Sequence, residues 1–193
     1  MSNSAEQIAD EILVMDAQSG HREAFDILVS RWQKRLWWHA SNLTGRTEAA
    51  WDITQESWLS IARGLTRLND PAKFGSWAYR IVSHKAYDWR CRYGREYSPE
   101  IEPEDTPAVT AGQGKHETVA DVHDILRRLP AHAQVVLNLY YLEGFSLAEI
   151  AVILGTPEGT VKSRLHAARI EFRKHWESLG KVAPAADPAS GKE

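Results

Sequence analysis

Lys162, Ser163, Arg164 and His166 crowd into the stretch "EGTVKSRLHAAR" (158–169), with Thr160 just ahead and Arg169 and Arg173 further along. Ammonium, hydroxyl, guanidinium and imidazole groups at this density suit one kind of chemistry. They hydrogen-bond to base edges in a groove and they neutralise phosphates. The plain reading is a solvated amphipathic helix, with Val161, Leu165 and Ala168 inward and the basic residues in water. The stretch alone does not decide between the two. A second group lies at 73–95, where six Lys or Arg stand against the single acid Asp88. Arg80, His84, Lys85, Arg90 and Arg92 there alternate with Trp77, Tyr79, Tyr87 and Trp89. Aromatic rings among cations can stack on unpaired bases, although most Trp residues fill cores. By period Trp77 and Trp89 face inward, and Tyr79 and Tyr87 outward. A third group, Asp52, Gln55 and Glu56, shares one polar helix face, for which plain solvated charge is the simplest account.

The elements that must position these groups are helical. Phe25, Leu28, Val29, Trp32, Leu36, Ala40 and Leu43 recur at three- and four-residue steps, the mark of one buried face. Gly45 stops that helix. Ile53, Ser57, Trp58, Ile61, Ala62 and Leu65 form the inner face of the next. A third opens near Pro71 and turns Phe74, Trp77, Ala78, Ile81, Val82, the Lys85 stem and Trp89 inward. Further on come Val119, Val122, Ile125, Leu126 and Leu129, then Pro130 and "AHAQVVLNLYYLEG". Ser146 with Glu149 three residues later is a capping box. Leu147, Ile150, Ala151 and Leu154 make that helix's apolar face, and Gly155 closes it. Thr156 is placed to cap the basic helix, with Pro157 at its first position. A short helix, a tight Gly-containing turn and a basic helix make a helix-turn-helix, whose second helix enters a major groove. No run alternates β-branched residues with turn chemistry, so no sheet is expected.

The 193 residues carry a net charge of −3, which conceals two basic stripes separated by an acidic one. Residues 98–117 hold three prolines, five acids and no Phe, Trp or Tyr, too little apolar surface to offset ordering. The expected organisation is therefore all-α: a helical domain at 1–97, an acidic flexible linker at 98–117, a helix-turn-helix domain at 118–180 and a disordered tail at 181–193. The acidic start "MSNSAEQIADEILVMD" reads as no signal peptide, and no window reaches a membrane span. The short tail argues against a further C-terminal regulatory domain. Cys91, the single cysteine, excludes an intrachain disulfide and fits a reducing cytoplasm. The eight histidines lack a metal-ligand spacing, and no phosphate loop or nucleophile motif is present. No enzyme, metal or cofactor is expected.

The run "LPAHAQVVLNLYYLEGFSLAEIAVILGTPEGTVKSRLHAARIEFRK" closely resembles region four of bacterial sigma factors of the extracytoplasmic-function (ECF) type. "WDITQESWLSIARGLTRLNDPAKFGSWAYRIVSHKAYDWRCRYGRE" resembles region two of the same family, and together the likeness covers about residues 20–176. The resemblance implies a protein that binds core RNA polymerase, directs it to promoters and helps open the DNA. Region two would dock on a β′ clamp helix through Asp52, Gln55 and Glu56. It would capture the unpaired −10 element through Tyr79, Arg80, His84, Lys85, Tyr87, Arg90 and Arg92. Region four would bind the −35 duplex through Thr160, Lys162, Ser163, Arg164, His166, Arg169 and Arg173, and would contact the β flap. Many relatives are held inactive by an anti-sigma factor that wraps both regions, which adds such a protein to the partners the resemblance admits. Two positions depart from the pattern. His84 stands where the family often has an Asn that holds a flipped −10 base. Ala167 stands where it often has an Arg, which shifts the −35 contacts onto Lys162, Ser163 and His166. The competing reading is a helix-turn-helix regulator that binds an operator without polymerase. Such proteins are usually dimers, and no heptad seam is present.

Overall fold

The computed structural model describes residues 2–93, 122, 124–126 and 128–178, and all regular structure among them is helical. The expected linker, the tail and Val119 lie outside the described residues. The first half contains α1 (Ser2–Gln18), α2 (Arg22–Thr44), α3 (Thr47–Gly64) and α4 (Phe74–Tyr93). Two short 3-10 turns, Leu65–Arg67 and Pro71–Lys73, join α3 to α4. The second half contains α5 (Ala131–Leu137), α6 (Leu147–Leu154) and α7 (Glu158–Ser178), preceded by helical residues at 124–126.

Helices α2, α3 and α4 follow the apolar period. Leu28, Leu36, Ile61, Phe74, Ala78 and Val82 are essentially inaccessible and form one cluster. Each large aliphatic side chain so buried contributes about 1.5–3 kcal/mol relative to exposure. The N-terminal end of α4 approaches α2 closely at Gly75, where a Cβ would sit 2.8 Å from the Trp32 ring. Glycine at that position lets the two helices meet. Helix α1 is an addition to the expected set. Its apolar residues are spread around the helix, with Val14 fully buried while Ile8, Ile12 and Met15 face solvent, so its period is faint. It is held by polar ties. Trp32 donates its indole N–H to Asp10 at 3.1 Å, and Arg31 pairs with Asp10 at 3.0 Å. The Gln18 amide donates to the carbonyls of Leu65 and Leu68 at 2.9 and 2.8 Å.

The main core does not stop at the end of α4. Val135, Leu139, Ile150, Ile153 and Val161 of the second half join the cluster of Leu28, Trp32 and Tyr79. A smaller cluster, with Leu129, Ala133, Val136, Leu165 and Ala168, holds the second half to itself. Between α5 and α6 the helix widens into a π-turn at Asn138–Leu142, where Glu143 N–H donates to the Asn138 carbonyl at 3.0 Å. The expected regular helix up to Gly144 is thus interrupted. Beyond the wide turn the Glu143 carboxylate receives two hydrogen bonds from the Arg35 guanidinium, one of 3.2 Å from Nε and one from a terminal nitrogen. Arg35 also lies 4.0 Å over the Trp32 ring. Burial disfavours its charge, but the bonds to Glu143 outweigh that and hold its pKa above the ordinary value.

Candidate nucleic-acid interface

The helix-turn-helix forms as its sequence implies. Ser146 Oγ accepts from the Glu149 backbone at 3.3 Å, and Glu149 Oε2 accepts from Ser146 N–H at 3.0 Å, which completes the capping box at α6. Partial burial raises the Glu149 carboxyl, but its bonds to Ser146 and Lys73 prevail and hold it below the usual carboxylate range. Gly155 then turns the chain at φ 61°, a left-handed conformation that glycine adopts without a Cβ clash. Thr156 does not cap α7. Its hydroxyl is buried without a hydrogen bond, and the first bonds of α7 run from the Thr160 and Val161 N–H groups to the Pro157 carbonyl at 2.9 and 3.1 Å, which puts Pro157 and not Thr156 at the cap position.

Helix α7 buries Val161, Leu165, Ala168 and Trp176. At about 100° per residue, the direction opposite that stripe falls on Ser163 and Ala167. Lys162 and His166 flank them on one side, Thr160 and Arg164 on the other. Lys162, Ser163, Arg164 and His166 are all exposed, and Thr160 partly so. Gly159 and Ala167 leave the centre of this face low, so a duplex can approach closely. A Cβ at Gly159 would meet nothing within 4 Å. Arg173 is exposed further along, whereas Arg169 is half-buried with its guanidinium 5.4 Å from the Tyr140 and Tyr141 rings. It lies only about 60° from the buried stripe, which brings it over those rings beside the preceding turn.

On α4, Arg80, His84 and Tyr87 share one face and are exposed, as are Arg90 and Arg92. Trp77 and Trp89 are half-buried. Tyr79 is a correction: expected outward, it is fully buried, edge-on to Trp32 at 6.2 Å, His39 at 4.9 Å and Phe145 at 5.6 Å. The helical period places it beside the core stripe, and Phe145 from the second half closes over it. Burial, with Glu143 nearby, pushes its phenol pKa well above the ordinary value. Lys85 pairs with Glu56 at 3.3 Å, which joins a residue assigned to DNA with one assigned to polymerase. Asp52, Gln55 and Glu56 all face solvent on α3. Two apolar neighbours on that face escaped the sequence reading: Trp51 is 42% and Leu59 58% exposed. Their signal was available, since Trp51, Gln55 and Leu59 follow one another at four-residue steps. A polar helix face that also exposes two large apolar groups has the composition of a docking surface.

Among the described residues no group of three or more His, Cys, Asp or Glu is placed to hold a metal ion, and no helix is long and apolar enough to cross a membrane.

Residues 28–96 match the family model for sigma-70 region 2, and residues 120–171 the model for sigma-70 region 4. The chain is 35% identical over 167 residues to the ECF RNA polymerase sigma factor SigM of Mycobacterium tuberculosis, covering 86% of this chain and 84% of that one. It is 29% identical over 180 residues to the ECF RNA polymerase sigma-E factor of Haemophilus influenzae, covering 86% of this chain and 94% of the relative. The solved structure of CnrH in complex with the cytosolic domain of CnrY is similar at 25% identity with a TM-score of 0.56, over 88% of this chain and 98% of that one. With both sigma regions in order along one helical chain, and the second, basic helix of the helix-turn-helix intact and exposed, the protein belongs to the ECF family of RNA polymerase sigma factors.

Proposed function

We propose that this chain binds core RNA polymerase through the β and β′ subunits and directs it to promoters by reading a −10 and a −35 element. The observation that carries the reading is the pairing, in one chain, of an exposed groove-entering face on α7 with a docking face on α3. The division of labour assigned to the sequence stands in this reading: residues 1–97 hold polymerase and the opened strand, 98–117 connect, and 118–180 hold the −35 duplex. Asp52, Gln55 and Glu56, joined by Trp51 and Leu59, form the polymerase face. Arg80, His84, Tyr87, Arg90 and Arg92 form the strand-facing surface, with Lys85 reaching it when released from Glu56. Lys162, Ser163, Arg164 and His166 meet base edges or adjoining phosphates, and Arg173 a phosphate. The protein acts by positioning, without chemistry of its own, in the compartment where polymerase works, the cytoplasm.

The test is retention on immobilised core polymerase. The double variant Gln55→Ala/Glu56→Ala removes two exposed side chains and leaves no cavity. Retention should fall while circular dichroism stays helical. Unchanged retention takes α3 out of the interface.

A further inference from the structure

Helix α7 exposes mostly groups that make hydrogen bonds or carry charge, and two that do neither. Lys162, Ser163, Arg164, His166, Arg173 and Lys174 all face solvent. Ala167 is exposed among them, and Ile170 is 44% exposed. These two are the only exposed side chains of α7 without a polar atom. Neither belongs to an apolar cluster of the fold, so core packing does not account for them. A single exposed apolar residue is common on any surface; what sets this pair apart is its position.

Around the helix axis Ile170 lies about 20° from Ser163 and about 60° from Ala167. It therefore stands on the outward ridge, opposite the buried Val161 and Leu165. Ala167 and Ile170 are three residues apart, which makes them neighbours on the helix surface. A helical side chain leans toward the N-terminus and covers the turn before its own Cα. The Ile170 arm thus lies toward Ala167, and the two make one apolar patch. His166 and Arg173 flank it on one side and Arg164 on the other, with Lys174 one turn further on.

The chemistry of a major groove narrows what such a patch can meet. Every base edge there offers hydrogen-bond donors or acceptors, and thymine alone adds an apolar group, its C5 methyl. Lysine, arginine, serine and histidine find partners on many base edges or on phosphates. An alanine methyl and an isoleucine arm find a partner only on thymine. Pressed against any other edge they would strip its polar groups of water and give nothing back.

We propose that Ala167 and Ile170 form an apolar reader within the −35 face, which selects a thymine by its methyl group. The inference rests on the sigma reading above and adds to it the base group that this chain prefers. The two residues are specificity determinants. General affinity for DNA comes from the flanking cations, and the patch acts at one or two positions of the element.

The experiment uses holoenzyme, assembled from the full chain and core polymerase, on a duplex that it selects from random sequence. Each thymine of the upstream block, on either strand, is replaced in turn by deoxyuridine, which keeps the base pairing and removes only the methyl. Replacement at one or two positions should weaken binding about fourfold each, the worth of one buried methyl. Ala167→Gly and Ile170→Ala should weaken binding to the thymine duplex and show little further loss with deoxyuridine at those positions. The ratio between the two duplexes is taken for one protein at a time, so partial unfolding of a variant cancels out of it. Arg173→Ala should weaken both duplexes alike and keep the wild-type ratio. Equal binding of the thymine and deoxyuridine duplexes by the wild type, while whole-base substitutions in the block still weaken binding, overturns the reader and spares the sigma reading. A wild-type ratio that persists in Ala167→Gly or in Ile170→Ala overturns the shared assignment. A holoenzyme indifferent even to whole-base substitutions upstream overturns the sigma reading, and the reader with it.

Discussion

Acid should destabilise this protein through one histidine, and the size of the effect follows from its surroundings. His39 is fully buried in α2 and meets Ser83 Oγ through Nε2 at 2.8 Å. Ser83 spends its own proton on the Tyr79 carbonyl at 2.9 Å, so the imidazole must carry its hydrogen on Nε2 and donate it. Nδ1 is then a bare acceptor with no partner. A proton added there would be a buried charge with nothing to receive it, and burial accordingly lowers the pKa to about 3. The unfolded chain takes up that proton near pH 6.5 while the folded chain declines it. The stabilisation is therefore complete above pH 6.5 and is lost as pH falls toward 3, at up to about 1.4 kcal/mol per pH unit. Between pH 7.5 and 5 the loss is about 2 kcal/mol, or about 4–8 °C in Tm for a chain of this size. His39→Gln keeps a donor toward Ser83 and cannot titrate. Urea unfolding of both proteins, followed by the many Trp residues, should show the wild type losing about 2 kcal/mol more than the variant over that range. All other titrations are shared and cancel in the difference. Parallel pH profiles for the two proteins would refute the reasoning and show that His39 is hydrated or paired in solution.

Three further outcomes are expected. Ser146→Ala removes the acceptor of the α6 capping box and should cost about 1 kcal/mol in denaturant unfolding, with weaker −35 binding in proportion to any fraying. Lys162→Ala in holoenzyme should lose about 1–3 kcal/mol at one −35 position and relax preference there, whereas Arg173→Ala should weaken all sequences alike and reduce the salt slope by about 1. A panel of single-base variants at several salt concentrations distinguishes them. His84→Ala, exposed on α4 beside Arg80 and Tyr87, should reduce open-complex formation more than initial binding, read by permanganate reactivity near the start site. Normal melting with reduced duplex binding would move that face to the other step.

The helices and the helix-turn-helix were legible because each is written locally. Leu28, Trp32 and Leu36 announce α2 by spacing, and Ser146, Glu149 and Gly155 mark both ends of α6. What escaped depends on residues distant in the chain. Arg35 and Glu143 are 108 positions apart, and neither stands out from its own neighbours. Tyr79 sits at the margin of its helix's apolar stripe, so its burial is decided by Phe145, which periodicity within α4 does not register. Arg169 escaped in part for a related reason: a cation near the edge of a buried stripe can lie over neighbouring rings, here Tyr140 and Tyr141, and spacing alone does not say which way it goes. The Thr156 cap failed because the first carbonyl of α7 to accept is that of Pro157, which leaves the Thr156 hydroxyl one position too early. The α3 face shows the opposite case. Trp51 and Leu59 were visible as a four-residue series with Gln55, but a Trp-rich half invites assigning every Trp to the core.

The central claim is that the chain reads promoters as part of polymerase and not alone. Selection of bound fragments from random duplex DNA tests it most directly, with the chain alone, core polymerase alone and the two together. The account predicts no sequence enrichment from the chain alone. It predicts two separate conserved blocks from the combination, near −10 and −35 of the transcripts it starts, with the upstream block altered by Lys162→Ala. An inverted repeat enriched by the chain alone, indifferent to polymerase, would contradict it and make the protein an operator-binding regulator.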